Sequence, residues 1–136
     1  MRMADRRDVL FDQDRLDAYG LARVFAREVE ILAAGMSRGQ AESLDQVRRA
    51  SLSISLNMAE GAGEFVPKEK ARFYRIARRS ATEAAAVLDN FVDRGVLSES
   101  DIASARLTLH RTAGALTRLI KACDPANPLK SRPRQP

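Results

Sequence analysis

Residues 67–95 read PKEKARFYRIARRSATEAAAVLDNFVDRG. Within them Phe73, Ala77, Ser80, Ala84, Val87 and Phe91 recur at intervals of 4, 3, 4, 3 and 4. That period keeps all six on one face of an α-helix. Pro67 suits a first helical turn, where its missing N–H costs no hydrogen bond. Gly95 can take the left-handed conformation just past the last turn. The spacing therefore predicts a helix from Pro67 to about Arg94.

Three further stretches carry the same period. Ala18, Ala22, Phe25, Val29 and Leu32 predict a first helix from about Asp14 to Ala34, with Gly35 and Gly39 at its exit. Leu44, Val47, Ser51, Ile54 and Met58 predict a second from about Ser43 to Ala59, stopped by Gly61. Ile102, Ala105, Leu109, Ala113, Leu116, Ile120 and Cys123 predict a fourth from about Glu99 to Cys123. Ser98 is its expected N-cap, with Asp101 completing a capping box and Leu97 and Ile102 a hydrophobic staple. Four apolar stripes joined by short links imply an all-α, antiparallel up-and-down four-helix bundle. It would occupy residues 14–123, after a loosely ordered segment 1–13 and before a disordered, Pro-rich basic tail 124–136.

The chain has 136 residues, 45% hydrophobic and 30% charged, which suits one domain with a single core. One cysteine, Cys123, excludes an internal disulfide, and its place on the apolar stripe suggests a buried thiol. One histidine, His110, argues against a metal site, and no cofactor motif is present. Gly61-Ala62-Gly63 follows no strand and precedes no Gly-Lys-Ser/Thr, so it reads as a turn and not a phosphate loop. No apolar run is long enough to span a membrane, and residues 1–12 lack the apolar stretch of a signal peptide. A cytoplasmic setting is expected.

The second helix carries an irregularity. Residues 51–56 read SLSISL, alternating as a strand would. A lone strand among helices has no partner, so the helix is preferred. Leu52 and Leu56 then form a second apolar edge, away from Val47, Ile54 and Met58. Either the bundle itself covers that edge, or a second molecule does, making Leu52 and Leu56 an oligomer interface.

The same helix holds a distinctive run, QVRRASLSISLNMAEG at residues 46–61. It resembles the Q-[LI]-R-R-A-x-x-S-I-x-x-N-I-A-E-G signature of the four helix bundle protein family, also called the 23S rRNA-intervening-sequence protein family. FYRIARRSATE at 73–83 and LDAYGLA at 16–22 are similar to two further elements of that family, in the same order. Ser55 stands where members often have Pro, and Arg79 where they often have Gly. The resemblance covers about residues 14–123. It implies an up-down bundle that assembles into homo-oligomers, pentameric rings among them, with no enzymatic activity. Related bundles accompany reverse transcriptases of retroelements, so a reverse transcriptase or other protein partner is implied as well.

Charge points to a partner class. Lys and Arg number 23 against 18 Asp and Glu, a net of +5, and 19 of the 23 are Arg. Lys68, Arg72, Arg75 and Arg79 are spaced 4, 3 and 4, so they fall within about 60° of one another around the helix. Such a row could follow the phosphates of RNA or DNA, and a ring would multiply it. The other reading is an ordinary solvated face. Arg48, Arg49, Ser53, Asn57, Glu60 and Glu83 form a second group. They are expected to build a polar network that sets helix register, with Asn57 and Glu60 organising the turn at Gly61; the alternative is a binding surface. A third pair, Arg106 and His110, sits at i and i+4, a closer spacing than HEPN-type RNases use. Nuclease activity is the weakest of the readings.

Overall fold

In a computed structural model, residues 11–124 are described. The expectations for 1–10 and 125–136 lie outside them. Among the described residues a 3-10 turn at Asp12–Arg15 leads into four α-helices: α1 (Asp17–Ala34), α2 (Ala41–Gly63), α3 (Pro67–Asp93) and α4 (Glu99–Ala122). Each helix packs against its two neighbours in the order α1, α2, α3, α4 and back to α1. This is an antiparallel, all-α four-helix bundle. The Asp12–Arg15 turn closes one end, against α1 and α2.

The core is the sum of the four stripes. Phe25 on α1, Ile54 and Met58 on α2, Tyr74 and Phe91 on α3, and Ile102 and Leu116 on α4 are among its fully buried side chains. Ser98 accepts from the Asp101 N–H at 3.0 Å, and the Asp101 carboxylate accepts from the Ser98 N–H at 2.9 Å, so the capping box forms. Gly95 has φ of 72°, the left-handed turn that ends α3. None of the helices is long and apolar enough to cross a membrane among the described residues.

The structure corrects four details. The α1 helix starts at Asp17, not Asp14, because the 3-10 turn precedes it. On α3 the buried aromatic is Tyr74, while Phe73 is half-buried; two turns of core positions run 71, 74, 77, a step of three that shifts the stripe by one residue. On α4 Thr112 is fully buried and Ala113 only partly, the Thr112 hydroxyl being satisfied by the Thr108 carbonyl at 2.7 Å.

The fourth correction matters most. The α2 helix does not stop at Gly61 but continues to Gly63. Gly61 is a contact residue instead. A Cβ there would lie 2.6 and 2.9 Å from the ring carbons of Tyr74 and 3.2 Å from the Lys70 carbonyl. Only a residue without a side chain lets α3 come this close, and the two helices meet there because the link between them is only residues 64–66.

Gly61→Ala should therefore destabilise the fold by about 1–3 kcal/mol, overpacking outweighing the better helix propensity. Gly20 is exposed on α1 with open space around it, so Gly20→Ala should stabilise by about 0.5–1 kcal/mol. Urea melts of the two variants check the opposite signs.

Candidate nucleic-acid interface

The outer face of α3 is the most charged surface built by one element. Lys68, Arg72, Arg75 and Arg79 are all exposed there, pointing away from the core line of Ala77, Ala81, Ala84 and Leu88. Arg78 is exposed beside them. Arg72 donates to Glu69 at 3.1 Å, and its guanidinium lies over the Phe73 ring, 4.6 Å from the centre. Among the described residues Lys68, Arg75, Arg78 and Arg79 have no ion-pair partner. Their charge is uncompensated and available to an anion. Lys68 and Arg75 also line a cavity of about 400 Å³ together with Ala71, Ile120, Lys121, Cys123 and the carboxylate of Asp124. Arg79 lies on this open face, and no other helix of the described chain covers it.

Lys70, a member of the same basic run, does something else. It sits one turn into α3 and faces inward. Its ammonium donates to the carbonyls of Gly61 and Ala62 at 2.8 and 2.9 Å. Those are end-of-helix carbonyls of α2, which lack intrahelical partners and carry the negative end of the helix dipole. Lys70 thus caps α2 and ties the turn to α3. Sequence periodicity gave Lys70 no role, because it belongs neither to the outer row nor to the apolar stripe. The signal was positional: Pro67 sets the helix start, so residue 70 lands on the inner side of the first turn.

The six polar residues of the α2 and α3 motifs do not form one network. Ser53 shares a hydrogen bond of 2.7 Å with Ser80, and Asn57 donates to the Ser53 carbonyl at 2.9 Å, so these two belong to the α2–α3 seam. Arg48 turns the other way and makes a bidentate pair with Glu30 on α1, at 2.8 and 2.9 Å. That pair holds the Glu30 carboxyl below its ordinary range. Arg49 and Glu83 line one cavity of about 380 Å³ with Glu42 and Asp45, without reaching each other. Glu60 is exposed and makes no hydrogen bond among the described residues. The turn at Gly61 is organised by Lys70, not by Glu60.

The model of the 23S rRNA-intervening sequence protein family matches residues 14–118. The chain belongs to that family. No curated protein matches it. The family match spans all of α1, α2 and α3 and most of α4, so the motif residues and the basic row fall inside it.

In this 23S rRNA-intervening sequence protein, the remaining candidates are placed as follows. Arg106 is engaged by Asp89 on α3, through two hydrogen bonds of 2.8 and 2.9 Å, and is not offered to His110. His110 is exposed, and Cys123 is buried against the end of the bundle. Leu52 and Leu56 are 58% and 55% exposed, so the chain's own bundle does not cover the second edge of α2. Phe65, in the link before α3, is 95% exposed and was not singled out by periodicity. An apolar residue in a three-residue link has no periodic neighbours to flag it.

Burial of Tyr74, aided by the nearby Cys123, pushes its phenol up to about 12. The unfolded chain releases this proton near pH 10, before the folded chain does. Stability from this group is complete below pH 10 and is lost as the pH rises towards 12. Tyr74→Phe should flatten that loss, and chemical denaturation at pH 9 and pH 11 of both proteins checks it.

Proposed function

We propose that this member of the 23S rRNA-intervening sequence protein family is a non-enzymatic, homo-oligomeric, cytoplasmic scaffold that binds nucleic acid, alone or together with an enzyme that works on it, such as a reverse transcriptase. The observation that carries the reading is the row Lys68, Arg72, Arg75 and Arg79, exposed on one face of α3, in which only Arg72 is held in an ion pair among the described residues. Guanidinium groups suit phosphate because they bind it through two parallel hydrogen bonds. The row neutralises phosphates and reads no base edges, so affinity without sequence preference is expected from it. Repetition of the row around an oligomer of five subunits, the number the family resemblance implies, would raise the effective concentration of the remaining contacts once one subunit has bound.

A second reading, a purely protein–protein assembly module, is favoured by the second edge of α2. Leu52 and Leu56 stand exposed beside a groove of about 310 Å³ between α1 and α2. The buried Ser51 hydroxyl in its wall has no hydrogen-bond partner among the described residues. Small side chains there, Ala26, Ser51 and Ser55, permit close approach by another helix.

Two outcomes separate the readings. Raising salt from about 50 to 200 mM should weaken RNA binding by roughly 10–100-fold, as expected for three or four phosphate contacts. Reversing the charge with Arg72→Glu, Arg75→Glu and Arg79→Glu together should abolish binding in fluorescence anisotropy; affinity that survives both treatments overturns the phosphate reading. Leu52→Asp should dissolve the oligomer in light scattering, and the assembly reading requires that it do so while leaving the affinity of each subunit for RNA unchanged.

A further inference from the structure

The link between α2 and α3 presents its aromatic ring on a rigid base. Phe65 is 95% exposed and Val66 52%. The backbone beneath them has little freedom. Glu64 donates its N–H to the Gly61 carbonyl at 3.2 Å, Phe65 donates its N–H to the Glu64 carboxylate at 3.1 Å, and Lys70 donates its N–H to the Val66 carbonyl at 2.9 Å. Pro67 fixes φ at the start of α3, and the Lys70 side chain holds the end of α2. The backbone is thus held where the Phe65 ring cannot bury itself, so the ring is presented to solvent and adds nothing to the isolated fold.

The cationic row begins at once behind it. Phe65 and Lys68 are three residues apart, so their Cα atoms lie no more than about 10 Å from each other. Lys68, Arg72, Arg75 and Arg79 then follow in steps of roughly 4.5–6 Å along the helix. A track of cations with an aromatic face at one end matches what single strands require: charge for the backbone and a π-surface for a base. A duplex keeps its bases stacked inside and offers Phe65 nothing. Phe73 does not serve in its place, because it is half-buried and the Arg72 guanidinium lies over its ring.

Resting on the reading that the row takes phosphates, we propose that this face accepts single-stranded nucleic acid, with an unpaired base stacked on Phe65. The test uses the full chain, a labelled 12-nucleotide oligouridine, and a duplex RNA of the same length. Phe65→Ala should weaken single-strand binding by about tenfold, within the range found for stacking on one aromatic, and leave duplex binding unchanged. The chain contains no Trp, so Phe65→Trp places a single reporter at the site; it should keep the affinity and lose emission when the single strand is added. Thermal melts show that both variants are folded. If Phe65→Ala binds the single strand like the parent, or the Trp emission does not change, the stacking proposal is overturned while the phosphate row stands, and Phe65 and Val66 are left as an anchor for a protein. If neither RNA binds the parent chain, the row and the stacking site fall together.

Discussion

The bundle hangs on one close contact, the Tyr74 ring resting in the space where Gly61 has no side chain. The contact fixes how far α2 and α3 slide past each other. Two turns up, the same register brings the Ser53 and Ser80 hydroxyls within 2.7 Å. It also turns Lys70 inward to the exposed carbonyls of α2. With Tyr74 and Lys70 facing in, Lys68, Arg72, Arg75 and Arg79 have to face out. The basic row and the ordered aromatic link are thus consequences of one glycine and one tyrosine, far more than of the charges themselves.

Charge is divided unevenly among the four seams. Glu30 pairs with Arg48 between α1 and α2, Asp89 with Arg106 between α3 and α4, and Glu28 accepts from the Ser104 and Thr108 hydroxyls between α1 and α4. The α2–α3 seam is closed instead by the Ser53 and Ser80 hydroxyls and by the Lys70 ammonium on the carbonyls that end α2. Exposed ion pairs of this kind add little stability, since water competes for both partners. Their effect is on distribution: carboxylates are engaged at three seams, and on the outer face of α3 Lys68, Arg75, Arg78 and Arg79 are left without an ion pair among the described residues. A net charge of +5 becomes a directional surface in this way.

Much of the fold was legible because it depends on local rules. The period of apolar residues located all four helices, since burial on one face acts on every turn alike. Ser98 with Asp101, and Gly95, marked their boundaries through bonds and dihedrals set within a few residues. The motif at residues 46–61 pointed to the right family. Legibility failed where a residue answers to a different helix. Gly61 looked like a stop and proved to be a contact. Lys70 stood outside both the row and the stripe and proved to be a cap. Arg48 and Asn57, nine residues apart in one motif, serve opposite seams, because a helix carries each position around to whichever neighbour lies there.

The sequence by itself determined the number of helices, their order, their apolar faces and the surplus of Arg, because these follow from spacing along one chain. Only the tertiary structure decided which aromatic enters the core, which cations remain unpaired, and that Leu52, Leu56 and Phe65 stay uncovered. Those outcomes depend on the distance between atoms remote in sequence, and that distance is set by how closely α2 and α3 can approach at Gly61.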